Sequence, residues 1–143
     1  MITGQSAGGA GTIMAMTVAD ILEAQLEPII VDWLSRVEKE SDLSDISLSS
    51  QARTGHLPML MSDVIDRLRL DEGTKAPISI AARLHGDLRR KQGYTVAMAV
   101  EETRLLQVTI FSMLHKKVKQ LNFETLLPDV VTIVDEVDAQ LKE

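Results

Sequence analysis

The chain has 143 residues, three of them histidines (His56, His85 and His115), and it has no cysteine. Imidazole titrates near neutral pH, ligates metals and serves as a general base, so these positions are the first places to look for chemistry. His85 and His115 fall on opposite arms of a predicted helical hairpin, about 13 residues out of register. That offset is roughly 20 Å at the helical rise, so the two cannot share a metal ion. No HExxH, Walker loop, GxGxxG, EF-hand or nucleophile elbow is present. The ExxH pairs of a di-iron bundle are missing too, and the lack of thiols removes cysteine catalysis and thiolate metal sites. Haem would need an axial histidine in a wide apolar cavity. His85 is the candidate for that role, but nothing else in the sequence supports it, so no cofactor, no metal and no catalysis are expected.

What remains is a polar set around His85. The spacing predicts a helix from Pro77 to Gln92, a two-residue link at Gly93-Tyr94, and a long helix capped by Thr95. So short a link makes the two helices antiparallel neighbours, with His85 facing the stretch from Glu101 to Arg104. Ala81, Leu84, His85, Leu88 and Gln92 share one face of the first arm at 100° per residue. Arg104 and Gln107 come close to a Val96/Val100/Phe111/Leu114/Val118 stripe on the second. Polar groups on a buried face must find partners or cost about 1–3 kcal/mol each. A semi-buried cluster of His85, Gln92, Arg104 and Gln107, with Glu101 as a further member, is therefore expected. Such groups ordinarily pin a hairpin's register. The same cluster can also serve as a ligand- or proton-responsive switch. The cations Arg83, Arg89, Arg90 and Lys91 face a single Asp87 on this helix, and a solvated surface is their expected setting.

The elements that must position this set are helical throughout. Residues 1–16 are rich in Gly, Ala and Ser, carry no charge, and read as a flexible tail. Thr17 caps a helix bearing Val18, Ile21, Leu22, Leu26, Ile29, Trp33 and Val37, which Pro28 should kink or split. A polar stretch from Ser41 to Ser47 ends it. A second helix follows Ser49 or Ser50 with Leu57, Leu60, Met61, Val64 and Leu68, and Asp71-Glu72-Gly73 closes it. Lys116, Lys117 and Lys119 suit the negative end of the fourth helix. Asn122 opens a fifth helix, with Pro128 near its start. Phe123, Leu127, Val130, Val134, Val137 and Leu141 recur there at steps of 4, 3, 4, 3 and 4, a coiled-coil-like seam. This seam is either the domain's core stripe or a surface for a dimer partner or a following domain. The expected fold is all-α: about five helices in a compact bundle over residues 17–143, ending in a long signalling helix.

Composition sets the outer bounds. Hydrophobic residues make up 45% and charged residues 25% of the chain, while aromatics are only 3%. Leu, Ile, Val, Ala and seven Met must build the interior. A net charge of −6 argues against nucleic acid as a partner. No stretch approaches the roughly 20 apolar residues of a membrane span, and no secretory signal is present, so a cytoplasmic protein is expected.

One resemblance spans roughly residues 18–141. His56-Leu57-Pro58, then Arg83-Leu84-His85-Gly86, Arg89, Gln92-Gly93-Tyr94 and the run Glu102-Thr103-Arg104-Leu105-Leu106 resemble the N-terminal domain of the RsbRD type. Those domains belong to co-antagonists of the RsbT kinase in the bacterial stressosome, and similar domains precede sensor histidine kinases. The resemblance implies a non-haem, globin-like helical sensor or regulatory module, dimeric, whose last helix leads into an output domain. His85, Arg89, Gln92, Gly93 and Arg104 match the motif, which adds Arg89 to the candidate cluster. The chain departs from the family's longer members in two ways. It carries neither a STAS domain nor a kinase core, and Lys116-Lys117 after His115 replaces the acidic residue beside a kinase phosphoacceptor histidine. The resulting expectation is a non-catalytic input domain of a two-component or stress-response protein. A small-molecule carrier and a structural dimerisation module are the alternatives.

Overall fold

A computed structural model of the chain describes residues 16–70 and 80–142, which include every candidate site residue. The tail through residue 15, the Asp71-Glu72-Gly73 loop and the helix start at Pro77 lie outside the described residues. Met16, assigned to the tail, belongs to the fold. Its N–H donates to the Gln120 carbonyl at 2.6 Å, and its own carbonyl accepts from Asn122 at 3.2 Å. This makes an isolated parallel bridge with Leu121, and the described residues are otherwise helices and their connections.

Local chemistry explains where the helices begin and end. α1 (Val18–Ala24) starts at Thr17, whose hydroxyl accepts from the Asp20 amide at 3.1 Å. α2 (Leu26–Lys39) follows after Gln25. The split falls there because Pro28 has no N–H to donate and so fits best in the first turn of a new helix, where that N–H would have no helical partner. The stretch expected to be a polar loop contains a further turn, α3 (Ser41–Ser44), which buries Leu43 completely. The predicted second helix is two pieces, α4 (Ser50–Thr54) and α5 (Leu57–Leu68), separated at Gly55-His56. α6 (Ile80–Lys91) and α7 (Val96–Lys116) flank the two-residue link, and Thr95 caps α7 by accepting from the Met98 amide. A 3₁₀ turn (Val118–Gln120) precedes α8 (Phe123–Leu141), capped by Asn122 and running through Pro128.

Gly93 has φ +92°, a region that side chains with a Cβ avoid. A Cβ built there would approach only Ile46 Cδ1, at 3.9 Å, so the need for glycine is one of backbone conformation and not of space.

The bundle is an all-α fold in which α2 packs on α7, α5 on α1 and α8, and α7 on α8. Ile29, Trp33 and Val37 from α2 meet Met61 and Val64 from α5, Ile110 and Leu114 from α7, and Ile133 and Val137 from α8, all buried. Arg67 ties α5 to α8 through Asp135 at 2.8 Å and Glu136 at 3.1 Å. α6 makes its closest backbone contacts with α5 and α8, and it meets α7 across the turn through His85 and Arg89, which both reach Glu102.

Two face assignments change. The α7 stripe is not Val96 and Val100, which are exposed, but Glu102, Leu105, Leu106, Thr109, Ile110, Met113 and Leu114. The α6 stripe is Ala81, Ala82 and Arg89, whereas Leu84 is exposed. Arg89, expected among solvated cations, is 3% exposed.

Candidate functional site

The centre of the polar cluster is Glu102, which projects from α7 and is 5% exposed. Its Oε1 accepts from Arg89 Nε at 3.0 Å and lies 3.1 Å from His85 Nε2. Its Oε2 accepts from the Tyr94 hydroxyl at 2.7 Å. An ionised carboxylate only accepts, so Nε2 of His85 carries the hydrogen in this contact. Burial opposes the charge on Glu102. The His85 hydrogen bond, the Arg89 charge and the Tyr94 hydroxyl together outweigh it and hold the group below the usual glutamate range. Tyr94 moves the opposite way: burial, then the neighbouring Glu102 charge, push its pKa up to about 12.

Arg89 extends this core to the short helices. Nη1 donates to the Ala52 carbonyl at 3.1 Å and to Gln92 Oε1 at 2.7 Å, and Nη2 donates to the Arg53 carbonyl at 2.6 Å. The guanidinium also sits 5.0 Å from the Tyr94 ring centroid. Arg53, itself 4% exposed, donates to the Tyr94 hydroxyl at 3.1 Å and to the carbonyls of Leu43 at 3.1 Å and Ile46 at 2.5 Å. Helices of four and five residues cannot hold themselves together. Here their orphan carbonyls are capped by guanidinium groups that carry the charge suited to a helix C-terminus.

The structure thus brings together His85, Arg89 and Gln92 of the expected set and adds Glu102, Tyr94 and Arg53. Arg104 does not join them: it is exposed and forks onto Glu101 at 2.8 Å through both Nε and Nη2. Gln107 turns away as well and donates to Asp138 of α8 at 3.0 Å. Local sequence offered a signal for Glu102, which precedes Leu105, Leu106, Thr109 and Ile110 at helical spacing and so shares their buried face. It offered none for Arg53.

His56 closes one side of the cluster. Its ring meets the His85 ring edge-on, with centroids 5.6 Å apart. Its Nδ1 is buried without a hydrogen-bond partner. Burial first, then the charges of His85 and Arg89, hold its pKa below the ordinary 6.5.

These shifts set an acid sensitivity. The unfolded chain binds protons at His56 and Glu102 more readily than the folded one, so stability rises with pH across both titrations. The His56 contribution is complete above its ordinary pKa of 6.5 and is lost as pH falls through the lowered folded value. That of Glu102 is complete above 4.5 and is lost on further acidification. Urea midpoints should therefore fall between pH 7 and pH 5, and fall less in His56→Asn. Equal slopes for the two proteins would remove His56 from the account.

A cleft of about 200 Å³, lined by residues of both α6 and α7, lies beside the cluster. His85, Arg89 and Glu102 form its polar end; Trp33, Leu57, Leu60 and Leu106 lie in its apolar wall. Val137, Gln140 and Leu141 of α8 complete it. Gln140 is held in place by donating to the Leu60 carbonyl at 3.1 Å. Nε2 of His85, the atom that could bind a haem iron, is committed to Glu102. No three His, Asp or Glu side chains converge as metal ligands among the described residues.

The expected seam of α8 divides into two parts. Val137 is buried and Val130 and Val134 are half-buried, but Phe123 is 66% exposed and Leu127 75% exposed. Val131, at 67%, extends that exposed stripe, and Leu141 stands at the cleft rim. No described helix is long and apolar enough to cross a membrane. Comparison with protein-family models, curated proteins and solved structures finds no match to this chain.

Proposed function

We propose that this chain is a non-catalytic sensory or regulatory input domain of a bacterial signal-transduction protein, in which the state of the α6–α7 cleft is passed to α8. The observation that carries the proposal is the make-up of the cleft wall. Val137, Gln140 and Leu141 of the last helix share one cavity with the buried Glu102 cluster. Anything that fills or reshapes the cavity must displace or brace the end of α8, because packed side chains transmit strain instead of absorbing it. Gln107–Asp138 and Gln140–Leu60 fasten that end to α7 and α5, so α8 has specific contacts to exchange.

The resemblance to N-terminal domains of the RsbRD type supports this reading. Of its motif residues, His85, Arg89 and Gln92 belong to the buried cluster and Gly93 makes the turn beside it. Arg104 is the motif residue that stands apart. In this reading α8 leads to a kinase or STAS output domain and the protein works in the cytoplasm. The exposed stripe of Phe123, Leu127 and Val131 supports a homodimer. Sedimentation should show a dimer, and Phe123→Ser/Leu127→Ser should give a folded monomer. A monomeric wild-type chain would refute that part.

The relay is tested by filling the cleft with a side chain. In Ala99→Phe, on the α7 wall, amide hydrogen exchange across residues 133–141 should change several-fold. A change confined to α6 and α7 would contradict the relay.

A further inference from the structure

The cleft also has a chemical selectivity that can be read from its charges, and this inference rests on the sensory reading above. We propose that it binds an uncharged, mainly apolar small molecule about the size of a single ring. The volume of about 200 Å³ is somewhat larger than an engineered 150 Å³ protein cavity that takes up benzene. The wall beyond the cluster is chiefly apolar, with Trp33, Leu57, Leu60, Leu106, Val137 and Leu141 around the space.

The buried charged groups in the wall, Glu102 and Arg89, have no capacity for a counter-ion. Both Glu102 oxygens are already occupied by Arg89, His85 and Tyr94, so an incoming cation would have to displace a buried guanidinium. Arg89 spends Nε, Nη1 and Nη2 on Glu102, Gln92 and two backbone carbonyls and is 3% exposed, so it cannot turn towards an anion. Arg53 bonds to the Tyr94 hydroxyl and is not part of the wall. Arg90, also in the lining, is exposed, where pairing with an anion gains little and competes with Asp87. A charged ligand would therefore lose its hydration without gaining a partner, whereas an uncharged one would gain the apolar contact.

Three probes of one size and different charge test this: benzyl alcohol, benzoate and benzylammonium. Trp33 is the sole tryptophan and lines the cleft, so its indole N–H resonance reports occupancy. Benzyl alcohol should shift that resonance saturably with millimolar affinity or better. The two ions should bind at least ~10-fold more weakly. Ala99→Phe should abolish the shift. Leu141→Ala, at a rim position tolerant of truncation, should weaken binding several-fold. Either ion binding as tightly as the alcohol, no probe shifting Trp33, or binding that both variants leave unchanged would overturn the ligand class. The relay has a separate readout: if the probes fail while Ala99→Phe still alters exchange in α8, only the ligand class falls, and if that exchange is also unchanged, the sensory reading falls with it.

Discussion

Glu102→Gln is expected to lower the unfolding free energy by about 3–5 kcal/mol, the range found when one member of a buried ion pair is removed. The amide keeps the size of the side chain but not its charge, so Arg89 would be left at 3% exposure with no anion beside it. Tyr94 would exchange a carboxylate acceptor for a weaker amide one, and His85 would lose its charge-assisted contact. Domains of this size have about 5–15 kcal/mol in total, so the variant should sit close to unfolding. Arg89→Met alone should cost a similar amount, because it strands Glu102 instead. The double variant Glu102→Gln/Arg89→Met should cost clearly less than both singles combined, since neither charge remains to be stranded. Urea titration of the four proteins decides it. A Glu102→Gln midpoint equivalent to less than about 1 kcal/mol would mean that the cluster does not hold the α6–α7 region together.

Arg53→Met is the second large effect, expected at about 2–4 kcal/mol, from the loss of a buried charged donor to two carbonyls and the Tyr94 hydroxyl. Its consequence should be local as well as global. Arg53 donates to the Leu43 and Ile46 carbonyls, supplementing a long 3.4 Å bond from the Ile46 amide to Leu43, and α3 and α4 are too short to stand without such capping. Leu43, fully buried, should become accessible as that segment opens. Amide exchange should therefore accelerate most across residues 41–54, with α2 and α7 less affected. Uniform acceleration over all helices would show that Arg53 contributes only to global stability.

The caps, the break at Pro28 and the turn at Gly93 were legible because each has a local cause, whereas the break at Gly55-His56 and the turn Ser41–Ser44 were not. Thr17, Thr95 and Asn122 offer side-chain acceptors to free amides, Pro28 forces a helix boundary, and Gly93 supplies a positive φ. The faces were harder to read. Val96 and Val100 look like core residues by type, yet the helix rotates them outward so that Glu102 and Thr109 can point in. A buried carboxylate is read as surface until its partners are known, and those partners come from α6, from the turn and, through Tyr94, from Arg53 in α4. Arg104 looked equivalent to Arg89 by type, but Glu101 three residues earlier satisfies it in solvent. The pairing of His85 with the Glu101–Arg104 stretch was legible because it follows from equal distance to the two-residue turn, and the structure realises it through Glu102.

The central claim is that the cleft and the last helix move together. The chain has no cysteine, so two introduced ones can carry spin labels without background. Val31→Cys on α2 and Lys142→Cys at the end of α8 are both exposed positions outside the contacts that fasten α8, and the distance between their labels follows α8 relative to the bundle. Adding Ala99→Phe to this pair should shift the distance distribution by about 1–2 Å or more, the scale of packed-helix displacements in switching proteins. Superimposable distributions, with loss of benzyl alcohol binding showing the cleft to be filled, would contradict the account.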